Sequence, residues 1–165
     1  MNTDIFEELF GSKEKARLIR FFLFNEKMSL TASEIGTKNR LRADVTRKAL
    51  RSLLKIGLIK EQTKKRKKYF TLNDAFPYIS QLYNLISASN TLEQCRNLSR
   101  LRRSGAVKFA AVSGLFTNSP KASIDILIVV NDLKRAKIEQ VIAYIEAEVG
   151  REVRYALLDI EEFRY

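Results

Sequence analysis

Apolar positions in the first sixty residues recur with the period of a helix. Leu18, Ile19, Phe22 and Leu23 stand at i, i+1, i+4 and i+5 and predict a helix over Lys13–Phe24. Ser12 precedes it as a suitable N-cap, and Asn25 can end it. Met28-Ser29-Leu30 reads as a short extended piece. Thr31 and Glu34 form a T-x-x-E capping box that opens a helix over Ala32–Thr37, with Ala32 and Ile35 inward. Lys38–Leu41 reads as a turn. Between about Ala43 and Ile56, Val45, Ala49, Leu50, Leu53 and Leu54 make a buried stripe, and Gly57 is the expected left-handed stop. The other face of this helix carries Arg42, Thr46, Arg47 and Arg51. After Gly57 the pattern becomes that of a hairpin: strands over Leu58–Thr63 and Tyr69–Leu72 flank a basic loop, Lys64-Lys65-Arg66-Lys67-Lys68.

Helical spacing returns at Phe76, Ile79, Leu82, Tyr83 and Ile86. It predicts a helix that begins at Asn73-Asp74 and tolerates Pro77 in its first turn. Ser87–Thr91 is a polar break, and a second helix is expected from about Leu92 to Arg103. From Ser104 onward short apolar runs alternate with a helix. Strands are predicted over Val107–Val112, Ile124–Val130 and Glu152–Leu158, with a loop over Gly114–Ser123. Lys134–Val149 is the helix, with Ile138, Val141, Ile142 and Ile145 inward and Gly150 as its stop. No internal repeat is visible. The chain therefore divides into residues 1–73, a helical connector over 74–103, and a small α/β unit over 104–165. The fold class is α+β.

Charge sharpens this picture. The net charge is +11 over 165 residues, and it is unevenly placed. Residues 1–90 carry 18 Lys and Arg against 9 Asp and Glu, whereas residues 91–165 carry 12 against 10. The first half is thus the candidate polyanion binder. The chain has no histidine, which removes imidazole acid–base chemistry and His-ligated metal sites. The single cysteine, Cys95, cannot form an internal disulfide and sits among Leu92, Leu98 and Leu101 as a small apolar residue, in keeping with a reducing cytoplasm. The N-terminal stretch is acidic, unlike a signal peptide. No apolar run approaches the ~18 residues that a membrane span requires, so a cytoplasmic protein without membrane contact is expected.

Helix, short strand, helix, turn, helix and basic hairpin is the order of a winged helix-turn-helix. A helix fits the major groove, where its exposed polar side chains reach base edges. Here those are Arg42, Asp44, Thr46, Arg47 and Arg51. The hairpin residues Lys64, Lys65, Arg66, Lys67 and Lys68 supply positive charge for backbone phosphates. The stretch Ala43–Lys60, ADVTRKALRSLLKIGLIK, resembles the recognition helix and wing entry of bacterial and archaeal winged-helix repressors.

The C-terminal unit resembles the minimal nucleotidyltransferase domain. That family places a Gly-Ser after its first strand and a D-x-D on the next, whose carboxylates hold Mg²⁺ on the nucleotide phosphates. The matching residues are Ser113-Gly114-Leu115 and Ser123-Ile124-Asp125. Leu115 replaces the motif's Ser, Ser123 replaces the first carboxylate, and Arg154 falls where a third carboxylate is expected. Asp125 alone cannot hold the metals, so the resemblance implies an inactive domain with no cofactor and no metal. Ser113, Gly114, Ser123 and Asp125 are then a vestige of the motif. Glu161 and Glu162 are expected in the first turn of a closing helix, where acids suit the dipole.

From about residue 12 to the end, through Gly150-Arg151-Glu152-Val153-Arg154-Tyr155 and Glu161-Glu162-Phe163-Arg164-Tyr165, the chain looks like prokaryotic regulators that fuse a winged helix to a nucleotidyltransferase-like domain. The resemblance implies a transcriptional regulator that binds double-stranded DNA and is not an enzyme. The C-terminal unit would serve ligand, partner or dimer contacts, and the connector is a candidate homodimer element. An active metal-dependent nucleotidyltransferase and an antitoxin-like interaction protein are the alternatives.

Overall fold

The computed structural model describes residues 5–87, 107–117, 121–131 and 135–164. The expected second helix of the connector, with Cys95, lies outside the described residues. The chain is mixed α+β with two small sheets. It divides into two compact units, Met1–Ser89 with Ala147–Arg151, and Asn90–Glu146 with Glu152–Tyr165.

The first unit opens with α1 (Ile5–Phe10), which the sequence reading missed although Ile5, Phe6, Leu9 and Phe10 carry the same i, i+1, i+4, i+5 spacing, and continues into α2 (Lys13–Phe24). Ser12 caps α2: its hydroxyl accepts from the Lys15 amide at 3.3 Å. The sequence predicts one apolar face for α2, but residues 16–23 are all buried. The two arginines in that run are accommodated by partners. Arg17 donates to the Asn39 carbonyl at 2.9 Å and pairs with Glu148, and the Arg20 guanidinium lies 5.1 Å from the centre of the Phe6 ring.

Strand β1 (Leu30–Thr31) leads into α3 (Ala32–Asn39). The capping box forms as expected: Thr31 and Glu34 exchange hydrogen bonds, and the Thr31 amide and hydroxyl hold the Glu34 carboxyl below its ordinary pKa. The helix runs two residues past Thr37, and Arg40 ends it in the left-handed region at φ 52°. Helix α4 (Ala43–Lys55) follows, and Gly57 stops it at φ 77°. Strands β2 (Ile59–Lys64) and β3 (Lys67–Leu72) complete an antiparallel sheet of order β1-β3-β2.

The five-residue basic loop expected from the sequence is much tighter in the structure. Lys64 and Lys67 are paired strand residues, and only Lys65 and Arg66 form the turn. Their φ values of 48° and 63° are those of a hairpin turn that matches strand twist, a geometry usually given to Asn-Gly.

Pro77 lies before the next helix, not within it, since helical backbone begins at residue 79 and is described through residue 87 (α5). Asn73 is taken up elsewhere. Its side-chain amide donates to the Gly57 carbonyl at 2.7 Å, and its side-chain oxygen accepts from the Ala75 amide at 3.2 Å. Phe6, Leu18, Ile19, Phe22, Ile35, Leu50, Leu53, Leu58, Phe70 and Ile86 belong to one apolar cluster that joins these elements.

The second unit contains β4 (Val107–Val112), a short 3-10 turn (Gly114–Phe116), β5 (Ile126–Val130), α6 (Arg135–Val149), β6 (Tyr155–Asp159) and α7 (Ile160–Arg164). The last residues of α6 count with the first unit. The strand order is β4-β5-β6. The central strand is antiparallel to β4 and parallel to β6, and a parallel pair needs a crossover such as α6. Both β5 and β6 start later than the apolar pattern suggests, at 126 and 155, just after Asp125 and Arg154, whose backbones still bond to each other. Ile138, Ile142 and Ile145 are buried as expected, and Val141 is half-buried.

Candidate nucleic-acid interface

Helix α4 combines a buried apolar stripe with an exposed cationic face. Ala49, Leu50 and Leu53 face the core. Arg42, Asp44, Arg47 and Arg51 are exposed. Arg42 occupies the N-cap position without capping through its side chain, and its guanidinium lies 3.4 Å from the Asp44 carboxylate. Arg47 and Arg51 are four residues apart, so they project from the same face one turn apart.

Thr46 corrects the sequence reading. It is fully buried, and its hydroxyl donates to the Arg42 carbonyl at 2.9 Å. It fills the close approach of α3 to α4, where a Cβ on Gly36 would lie 3.1 Å from the Thr46 hydroxyl and 3.3 Å from the Leu41 carbonyl oxygen. It is a packing residue, which places it behind the exposed face that the sequence assigned to it. Val45 and Leu54, expected inside, are only half-buried.

All five basic hairpin residues are exposed, but strand alternation divides them. Residues paired across β2 and β3 share a face. The pairs Ile59–Leu72, Glu61–Phe70 and Thr63–Lys68 lie on the side that Phe70 and Leu72 bury. Lys60–Thr71, Gln62–Tyr69 and Lys64–Lys67 lie on the other. Lys68 is therefore on the core side, with its ammonium 2.8 Å from the Glu61 carboxylate. Lys65 and Arg66 form the tip.

A groove of about 620 Å³ separates α4 from the hairpin. Arg47 and Arg51 border it from the helix, and Lys67 and Lys68 border it from β3. Leu50, Leu54 and Phe70 supply apolar surface, and the start of α3 closes one end. The sequence reading did not single out Glu61, although counting back across the hairpin from Phe70 identifies it as a lining residue.

Asp125, Arg154 and Gly114 form a second cluster. Asp125 is only 3% exposed. One of its carboxylate oxygens accepts from the Leu115 amide at 2.8 Å and from an Arg154 guanidinium nitrogen at 2.9 Å. The other accepts from the Arg154 amide at 2.9 Å and its Nε at 3.0 Å. This fork is the strongest geometry available to a carboxylate and an arginine. Burial acts to raise the Asp125 pKa, but Arg154 and the two amides together hold it below the ordinary value, and Asp125 in turn raises that of Arg154.

Gly114 has φ 46°, and a Cβ there would meet the Asp125 carboxylate oxygen at 2.2 Å, so the backbone wraps the acid closely. Ser113 donates its amide to the Asp125 carbonyl at 2.9 Å, and Ser123 is exposed. These residues do not fit a divalent cation: the one carboxylate is fully engaged, and a guanidinium stands against it. Glu162 does not supplement the set. It caps α7 by accepting from the Asp159 amide at 2.8 Å. Among the described residues, no helix is long and apolar enough to cross a membrane. The chain matches no family model, no curated protein sequence and no solved structure.

Proposed function

We propose that this protein is a transcriptional regulator of the prokaryotic kind. In this reading residues 1–73 form a winged helix-turn-helix that binds double-stranded DNA in the cytoplasm. Helix α4 is the recognition helix and the β2–β3 hairpin is the wing. One observation carries the reading: Arg47 and Arg51 of the helix and Lys67 and Lys68 of the hairpin line a single groove. One duplex can then meet both cationic elements together. Arg42, Asp44, Arg47 and Arg51 are the base-reading candidates, and Thr46 is withdrawn from that set.

The second unit, in the same reading, is a nucleotidyltransferase-like domain that has exchanged its metal chemistry for a structural ion pair. The fork between Arg154 and Asp125 supports this assignment, and the unit would serve ligand, partner or dimer contacts. Residues 74–103 are the proposed homodimer element. Tyr83 and Leu85, which keep 40% and 42% of their surface exposed, support that role.

Selection of bound duplexes from a random pool, read by sequencing, tests the proposal. An enriched motif with two-fold symmetry is expected, because a dimer of readers recognises two half-sites. Repeating the selection with Arg47→Gln should relax preference at one position of each half-site, with a loss of about 1–3 kcal/mol if that guanidinium makes a bidentate base contact. Recovery of an unenriched pool by the parent chain would overturn the reading.

A further inference from the structure

The groove between α4 and the hairpin differs from what a phosphate backbone alone requires. Phosphates need cations and hydrogen-bond donors. This groove has those at its rim, but its floor is apolar. Leu50 and Phe70 are core residues, and half-buried Leu54 borders the groove above them. Its size, about 620 Å³, lies within the range of small-molecule sites, which are typically concave, mostly apolar and supplied with a few oriented polar groups.

The charge is equally selective. Arg47, Arg51, Lys67 and Lys68 oppose a single lining acid, Glu61, whose carboxylate is already held by Lys68 at 2.8 Å. An occupant must therefore offer apolar surface to the floor and negative charge to the two helix arginines.

We infer that this groove binds a small anionic amphipath, an aromatic or aliphatic body bearing a carboxylate or sulfonate, and that its occupancy excludes duplex DNA. The body lies on Leu54 and Phe70. The anion accepts from Arg47 and Arg51, which sit one turn apart on α4. Exclusion of DNA rests on the proposed function, since the same two guanidinium groups are there assigned to the duplex. Binding of the amphipath itself does not depend on that assignment.

The probe is 1-anilinonaphthalene-8-sulfonate, titrated into the full chain and followed by its fluorescence. N-phenyl-1-naphthylamine, which has the same aromatic body without the charge, serves as the comparison. Saturable binding of one sulfonate per chain is expected. The double variant Arg47→Gln/Arg51→Gln, which alters only exposed side chains, should weaken the sulfonate by about tenfold or more while leaving the neutral comparison unchanged. Leu54→Glu should weaken both. Sulfonate binding that is equal in the parent and in both variants overturns the site.

A second arm adds the sulfonate to the chain already bound to a labelled duplex. Release with the concentration dependence of the fluorescence titration supports exclusion, and a duplex that stays bound at saturating sulfonate overturns it. A parent chain that binds the sulfonate but no duplex overturns the DNA reading and leaves the groove assignment standing.

Discussion

Two residues show how local packing sets the limits of this interface. Gly36 and Thr46 bring α3 and α4 together, and Thr46 is fixed by full burial and by its bond to the Arg42 carbonyl. A helical Gly→Ala change would ordinarily stabilise by ~1 kcal/mol. Here the added methyl meets the Thr46 oxygen at 3.1 Å and the backbone Leu41 carbonyl at 3.3 Å, and Thr46 is held by its bond to Arg42. Gly36→Ala should therefore destabilise, by about 1–3 kcal/mol as overpacking does, and Thr46→Ala in the same chain should recover part of the loss. Urea denaturation of the two single variants and the double variant measures this.

Asp125 gives a residue-scale prediction with a pH signature. Its folded pKa lies below the ordinary carboxyl value. The stability it contributes is therefore complete above the unfolded value near ~3.9 and disappears as pH falls through the lower, folded one. Asp125→Asn should cost about 1–3 kcal/mol at neutral pH through the lost charge-assisted bonds. The difference between the variant and the parent should shrink below about pH 4. A difference that is constant down to acid unfolding would show that the charge of Asp125 contributes nothing.

Among the elements, the hairpin turn holds the clearest conflict between local preference and charge. Lys65 and Arg66 both adopt left-handed backbone, which costs a residue with a side chain roughly 1 kcal/mol or more. Asn-Gly suits that turn far better. Lys65→Asn with Arg66→Gly should therefore raise the urea midpoint while weakening duplex affinity. It should also flatten the salt dependence by about two phosphate contacts, each worth ~0.9 in the log–log slope. Neutralising Lys64, which lies on the face of the hairpin away from the core and does not line the groove, should weaken the duplex less than neutralising the tip. Electrophoretic mobility shifts over a salt series compare the variants.

The sequence makes the elements themselves legible. Capping at Ser12 and Thr31, the stops at Gly57 and Gly150, and the bounds of β4 all follow from local chemistry. The tight turn is not legible, because five consecutive cations carry no signal for the register that makes Lys64 and Lys67 partners. The late starts of β5 and β6 are hidden for a similar reason: Ile124 and Val153 extend the apolar pattern past the charged Asp125 and Arg154, which still share a backbone bond across the strands.

At the scale of the whole molecule, the uneven charge of the chain finds a structural counterpart in the first unit, where helix and hairpin cations border one groove. Composition indicates which half would meet a polyanion, but it cannot show that Thr46 turns inward, that Lys68 is tied to Glu61, or that the groove floor is apolar. Those facts depend on contacts between elements, which composition does not encode. The same holds in the second unit, where only the fold shows Arg154 forked on Asp125.

The proposed interface requires α4 and the hairpin to contact one duplex at the same time. Duplex affinity over a salt series, for the parent chain, for Arg47→Gln/Arg51→Gln, for Lys65→Gln/Arg66→Gln and for the four changes combined, tests it most directly. Binding by the parent should be steeply salt-dependent, each pair of changes should weaken the duplex and flatten the slope, and the combination should lose most. A parent chain whose binding ignores salt, or either pair of changes leaving affinity and slope at parental values, would contradict it.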